Sequence, residues 1–351
     1  MLRDLAGTQQ AWPRTTAVIA NTPFGRFPQR TTSFGLFRVW PRGINGVVTK
    51  NISNFFGADG EENFDISDLL LRIGFEPKVT LEMQLDPYEE HKLDENSYEI
   101  EELDAIISAF ETFGSSGVGR FDLFSSGGSL DRSLMKRTGI LFKHINKLKR
   151  DRIVRSYALL FTHPERGVQK FDELSSGEQT LISTYLFIKS RLPNLGEIFI
   201  DEPENSLHPE WQRQYLETIH MALGYNDVKV TLASHSPVLV SGSLSSYGEE
   251  IEIVRVDGNK LKPVDVGGAK DHESVEAILW EAFDTVTPVS HFLSIELSRI
   301  LQEFADGEIN HEMAAKAVRS FQNQSYDGRQ QKLLQRVLEN LSEFEPDART
   351  D

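Results

Sequence analysis

Glu197-Ile198-Phe199-Ile200-Asp201-Glu202-Pro203-Glu204 is the stretch on which the fold of this chain turns. Ile198–Ile200 is a short apolar run of the kind found in strands buried on both faces, as in a parallel sheet. It stops abruptly at two adjacent carboxylates. Carboxylates taken out of water are costly unless paired or bound to metal, and the carboxyl ends of strands are where open α/β sheets hold their ligands. Chemically, Asp201 can hold Mg²⁺ through its water shell, and Glu202 can orient and deprotonate an attacking water. The plainer alternative, a helix-capping Asp beside a surface Glu, leaves the apolar approach unexplained.

Two further motifs flank this stretch. Upstream, Leu174-Ser175-Ser176-Gly177-Glu178-Gln179 opens a helix expected over 177–191. Small residues there leave backbone N–H groups and a hydroxyl unobstructed at the positive end of a helix, which suits a phosphate. Taken alone, Ser175 followed by Glu178 is also an ordinary capping box. Downstream, Leu232-Ala233-Ser234-His235-Ser236-Pro237 ends a second apolar strand, expected over 228–233. His235 can donate to a terminal phosphate oxygen and so report its presence. A lone strand-end His is ordinarily structural; its position one strand after Asp201-Glu202 reverses that weighting.

Strands are also expected at 15–21, 78–85 and 156–162, followed at 23–28 by a Pro/Gly loop in the first case, and helices at 66–73, 100–113 and 209–223. Alternating strands and helices from Arg155 onward define an α/β class. The turn Asp257-Gly258-Asn259 signals a hairpin of 251–256 with 260–266, and polar helices are expected near 273–283, 288–304, 310–323 and 327–343. An acidic run from Asp86 to Asp104 precedes a basic amphipathic segment, Lys136–Arg155, with Gly127-Gly128 between them. Its cations either pair with the acidic run or present a surface to nucleic acid or a partner protein; the sequence favours neither.

Composition narrows the classes. The 351 residues carry a formal net charge of −16 and no cysteine. Disulfides, thiolate metal sites and Cys nucleophiles are excluded, and a reducing cytoplasm fits. The acidity argues against holding nucleic acid through bulk charge, so any such contact must be a local basic patch. No stretch approaches the roughly 18 apolar residues of a membrane span. Arg3 and Asp4 sit where a signal peptide would be apolar.

In this order and spacing the three motifs resemble the ABC-type ATPase head, in the cytosolic AAA-domain branch of SMC, RecF and OLD-like ATPases. Asp201–Pro209 and Ser234–Pro237 are similar to the Walker B/D-loop and His-switch of that branch, which includes ATPase subunits of retron- and Septu-like anti-phage systems. The likeness is firm over 171–266 and looser over Val18–Pro28. It implies a P-loop NTPase sheet (1–35 and 155–266) with an α-helical lid or insertion (36–154) and a helical C-terminal region (267–351). It further implies ATP and Mg²⁺ as cofactors, with Asp201 serving the metal, Glu202 as general base and His235 as γ-phosphate switch. Ser175, Ser176, Gly177 and Glu178 would meet ATP held by the opposite protomer. Asn205, Ser206 and His208 would form the D-loop at the seam of a homodimer or larger assembly. A nuclease effector and a role in DNA maintenance or anti-phage defence complete what the resemblance implies; a nucleic acid at 136–155 is expected from the basic segment, and a cytoplasmic location without membrane attachment from the composition.

One departure is large. The sequence contains no Gly-x-x-x-x-Gly-Lys-Ser/Thr phosphate loop. Gly114-Ser115-Ser116-Gly117-Val118-Gly119-Arg120-Phe121 matches only the glycine spacing and follows a helix instead of a strand, so it is set aside. An N-terminal piece carrying that loop is therefore expected to be absent from this stretch. The alternative is a half-site subunit, or a catalytically silent scaffold, that offers its signature in trans to a partner ATPase.

Overall fold

The computed structural model describes residues 16–21, 35–38, 66–86, 98–111, 117–125, 132–192, 195–258, 260–264, 291–325 and 328–343, with a few single positions between them. The chain divides into two compact units, residues 1–211 with 217–234 and residues 212–216 with 235–351. The first begins with β1 (Thr16–Ala20), β2 (Gly35–Arg38), α1 (Ser67–Arg72), β3 (Lys78–Leu85), α2 (Ile100–Glu111) and β4 (Val118–Ser125). It continues with α3 (Arg132–Arg150), β5 (Val154–His163), β6 (Gly167–Lys170), α4 (Ser176–Lys189) and β7 (Glu197–Asp201). Two short helices, α5 (Pro209–Arg213) and α6 (Tyr215–Leu223), precede β8 (Lys229–Ala233). The single helix expected over 209–223 is thus broken at Gln214.

Four strands form a parallel sheet in the order β2-β1-β7-β8. Its centre is apolar for the reason the sequence suggests. All five residues of β1 are buried, as are Ile198, Phe199 and Ile200 of β7, because a parallel strand covered on both faces has no solvent side. β8, at the end of the described sheet, is half-exposed.

The second sheet is antiparallel, β4-β3-β5-β6. In β3 the residues alternate: Val79, Leu81, Met83 and Leu85 are buried, and the intervening side chains are half-exposed. That period of two marks a sheet with one covered face. Arg120–Glu82 at 2.8 Å and Lys78–Asp122 at 3.0 Å bridge the other face between β3 and β4. The glycine-spaced stretch set aside above enters β4 at Val118, where its backbone is committed to the strand ladder; Gly114–Ser116 lie outside the described residues.

β5 pairs with β3 from Val154 onward, so residues 155–170 share a sheet with the expected insertion, and β2 joins the parallel sheet just past residue 35. A change in charge marks a surface, not which strands share hydrogen bonds. The basic segment is α3, packed through Leu141, Phe142, Ile145 and Leu148. Glu102 of α2 takes both Lys143 (2.5 Å) and His144 (2.9 Å), and Lys147 lies 4.0 Å over the Tyr98 ring. Pairing with the acidic side therefore accounts for the middle of this helix.

The second unit contains α7 (Pro237–Tyr247) and the antiparallel hairpin of β9 (Val254–Asp257) and β10 (Lys260–Pro263). It also holds three helices, α8 (His291–Ala305), α9 (His311–Gln324) and α10 (Gly328–Glu343). Leu293, Leu297, Ile300 and Phe304 of α8 pack with Val318 and Phe321 of α9 and Leu334 and Leu341 of α10 in a core of their own. The expected loop at 23–28, Gly127-Gly128, residues 87–97 of the acidic run and most of the helix expected at 273–283 lie outside the described residues.

Candidate functional site

Parallel register brings the carboxyl ends of three strands to one rim. Ala20 of β1 and Ala233 of β8 both pair with Asp201, the last residue of β7. The rungs continue one step further, Asn21 N–H donating to Asp201 C=O at 3.1 Å and Glu202 N–H to Ala233 C=O at 2.9 Å. Asp201 and Glu202 are half-buried, and neither caps a helix. Glu202 sits at φ 48° and Ser206 at φ 70°, left-handed conformations that cost a non-glycine residue about 1–3 kcal/mol and persist where the surroundings hold them. Asn205 folds back so that its Nδ2 donates to Glu202 Oε2 at 3.1 Å, orienting the carboxylate.

Asn21 was not anticipated. It is 7% exposed, and among the described residues neither its side-chain amide nitrogen nor its side-chain carbonyl oxygen has a hydrogen-bond partner. A buried polar group left unpaired costs about 1–3 kcal/mol, so its position beside the acidic strand end asks for a ligand. The signal was present in the sequence as a polar residue closing the apolar run Ala17–Ala20, but nothing local says which strand lies next to it.

Among the described residues no cluster of three or more His, Asp or Glu side chains encloses a metal. Mg²⁺ does not require one. It keeps several waters and takes one or two protein carboxylates plus substrate phosphates. Asp201 beside the unpaired Asn21 carboxamide fits such a water-rich site.

Ser175 caps α4 and is exposed. Its Oγ accepts from Glu178 N–H at 3.3 Å, and Glu178 Oε2 accepts from Ser175 N–H at 2.7 Å, so the capping box forms. Glu178 faces inward, 4% exposed, with Oε1 bound to Arg166 at 2.6 Å. Burial pushes this carboxyl up, but Arg166 and the Ser175 backbone and hydroxyl outweigh it and hold the group below its ordinary range. Both of its oxygens are engaged within the chain. It braces Ser175.

Gly177 is also buried. A Cβ there would lie 2.8 Å from Ser206 C=O and 2.9 Å from the Trp211 ring, so glycine alone lets α4 and the 202–208 loop touch. The start of α4 and the loop that follows β7 thereby lie against each other. Ser176 and His208 are exposed, and His208 Nδ1 accepts from Glu210 N–H at 3.3 Å. Arg166, at the β5–β6 turn and 5.2 Å from the Phe75 ring, also escaped sequence reasoning, because its partner is twelve residues away in another element.

His235 opens the second unit, exposed, two residues past Ala233. Ser236 beside it caps α7, accepting from Leu239 N–H at 3.1 Å and donating to Gln212 Oε1 at 2.6 Å, with Pro237 in the first helical turn. The Ser-His-Ser-Pro motif is therefore, locally, a helix start.

The fold is a parallel α/β sheet with one acidic strand end beside a serine-capped helix. The family model for "AAA domain, putative AbiEii toxin, Type IV TA system" matches residues 53–241, more than half of the chain. The chain belongs to that AAA-domain family, and so to a group of nucleotide-binding ATPases. No curated protein matches it. A solved structure from work on ATP-driven dimerization and DNA-stimulated activation of SMC ATPases aligns at 13% identity with a TM-score of 0.24, over 31% of this chain and 64% of that one. The chain thus spans less than two thirds of that structure's length. Among the described residues no helix is long and apolar enough to cross a membrane.

Proposed function

We propose that this chain is an ABC-type ATPase switch of the cytosolic AAA-domain branch, in which two heads close around ATP and part after hydrolysis. One observation carries the reading. A parallel strand buried at Ile198–Ile200 ends in Asp201-Glu202, with Glu202 held in a left-handed backbone, tied to Asn205, and flanked by Asn21, whose side chain has no hydrogen-bond partner among the described residues. Glu202, its Oε2 occupied by the Asn205 amide, orients and deprotonates the attacking water. Asp201 and Asn21 would hold the water shell of Mg²⁺, which when bound would supply charge neutralisation at the phosphates. Ser175 offers its hydroxyl to a γ-phosphate on the opposite protomer, with Ser176 beside it, and Asn205, Ser206 and His208 line the seam. His235 reports the γ-phosphate. The cradle for the phosphates comes from a Gly-rich loop outside these 351 residues, and the closing motion works an effector, such as a nuclease, or a nucleic acid in anti-phage defence or DNA maintenance.

The decisive experiment is Glu202→Gln in the complete assembly. General-base catalysis contributes about 10²–10⁴ in rate, so turnover falls by that factor while the ATP-bound dimer accumulates. Unchanged turnover removes Glu202 from the role.

A second reading is favoured by one feature, the lack of a phosphate-loop motif. The chain is then a half-site subunit or silent scaffold that presents Ser175 to a partner ATPase. Calorimetric titration of Mg-ATP into the chain, alone and with candidate partners, separates the two: binding without a partner excludes the scaffold.

A further inference from the structure

The middle of the basic segment is spent on Glu102 and Tyr98, but its end is not. Lys149, Arg152 and Arg155 are exposed around the turn that joins α3 to β5, and Arg152 and Arg155 enter no ion pair among the described residues. Arg152 is held at φ 62°, which fixes the turn and projects the segment from the surface. Arg150 is shared with Asp151 at 3.7 Å. In a chain of net charge −16, this is a local reversal of sign.

The turn borders a groove of about 380 Å³ along β5, lined by Gln84, Ser156, Tyr157 and Lys170 and by the carboxylates Glu82 and Asp172 among others. Lys149 Nζ lies 5.2 Å from the Tyr157 ring centroid, at the groove's cationic end. Ser156 Oγ donates to Gln84 Oε1 at 3.3 Å, which leaves the Gln84 amide hydrogens to donate. Of the two carboxylates in the lining, Glu82 is paired with Arg120 at 2.8 Å, which offsets its charge, and Asp172 is exposed. The volume is at the small end of the range for small-molecule pockets, about 300–1,000 Å³, with room for one nucleoside and not for a helix.

We infer that the α3–β5 turn and this groove bind single-stranded nucleic acid, with phosphates on Lys149, Arg152 and Arg155 and one unstacked base against Tyr157. Cationic side chains beside an aromatic face and amide donors are the combination that recognises a splayed strand. A duplex keeps its bases stacked and gains only the cations; an acidic peptide gains only the cations and leaves the groove empty. The inference deepens the nucleic-acid part of the proposed function and rests on that reading for its consequence. The surface itself is tested without nucleotide, so loss of ATPase activity and loss of strand binding are separate failures.

The test is fluorescence anisotropy on the full chain with a labelled mixed-sequence DNA strand of about 16 nucleotides, its duplex, and poly-glutamate of matched charge. The single strand binds at least about tenfold more tightly than either competitor, with affinity falling as salt rises. Arg152→Glu/Arg155→Glu weakens it about tenfold or more and lowers the salt slope by about 1–2. Lys260→Glu/Lys262→Glu, the same charge change on the β9–β10 hairpin, leaves it unaltered. Tyr157→Leu weakens the strand roughly 5- to 150-fold, and Gln84→Ala serves as a second groove variant if Tyr157→Leu melts early. Absent strand binding at low salt, equal binding of duplex or poly-glutamate, or an arginine pair no more important than the hairpin lysines overturns the inference.

Discussion

At the start of α4, Ser175 and Glu178 exchange both capping hydrogen bonds and Arg166 completes the carboxylate; at the end of β7, Glu202 is held in a strained backbone and Asn21 is buried with its amide unpaired. The two places touch, through Gly177 and Ser206, yet they are built differently. The first is arranged for stability and is complete without a ligand. The second keeps strain and unmade hydrogen bonds that a ligand would relieve, the pattern expected where chemistry is done. On the proposed function, one rigid and one strained half would hold Ser175 steady while the loop after β7 responds.

The largest way to sharpen that contrast is Glu202→Gln, which lowers turnover about 10²–10⁴-fold yet leaves thermal stability within about 0.5 kcal/mol. A loss of stability comparable with that of the α4 variants would show that Glu202 is structural. Next comes Arg166→Ala. It leaves a buried carboxylate without its cation, and because Arg166 is itself partly exposed the expected cost is about 1–3 kcal/mol in denaturant unfolding. Glu178 carries a pH signature as well. Its carboxyl titrates below the ordinary range in the folded state, so its contribution is full above the unfolded value, near 4.3, and is lost as pH falls through the lower folded value. Glu178→Gln flattens that acid limb of the stability curve; an unaltered limb would place the acid sensitivity elsewhere.

Gly177→Ala tests the contact between the halves. The new methyl meets the Ser206 carbonyl at 2.8 Å, and overpacking of this kind costs about 1–3 kcal/mol; a melting temperature equal to the parent's would show that the loop yields freely. The smallest effect has the opposite sign. Glu202→Gly removes left-handed strain and stabilises by about 0.4–1 kcal/mol while abolishing turnover, unless the lost Asn205 hydrogen bond offsets the gain. Stability and activity moving apart at Glu202, and together at Gly177, is the outcome that the two-part construction demands.

Much of this was legible beforehand. The apolar run into Asp201, the capping box at Ser175 and the alternation in β3 are local patterns, and local sterics and solvent partition determine them. β2, β4 and β6 were not read, because a strand of weak pattern is stabilised by the neighbour it pairs with. Neither the pairing of Glu178 with Arg166 nor the burial of Asn21 beside Asp201 is visible in the sequence. Both depend on contacts across elements.

What the sequence determined by itself is the order of motifs, the absence of cysteine and of a phosphate-loop signature, and the periodicities that make strands and helices. Tertiary structure decided which strand ends share a rim, which cations are already spent, and which buried amide has nothing to bond. Periodicity is set by each residue's own preference for water or for its near neighbours, whereas satisfaction of a polar group is a property of whatever the fold places beside it.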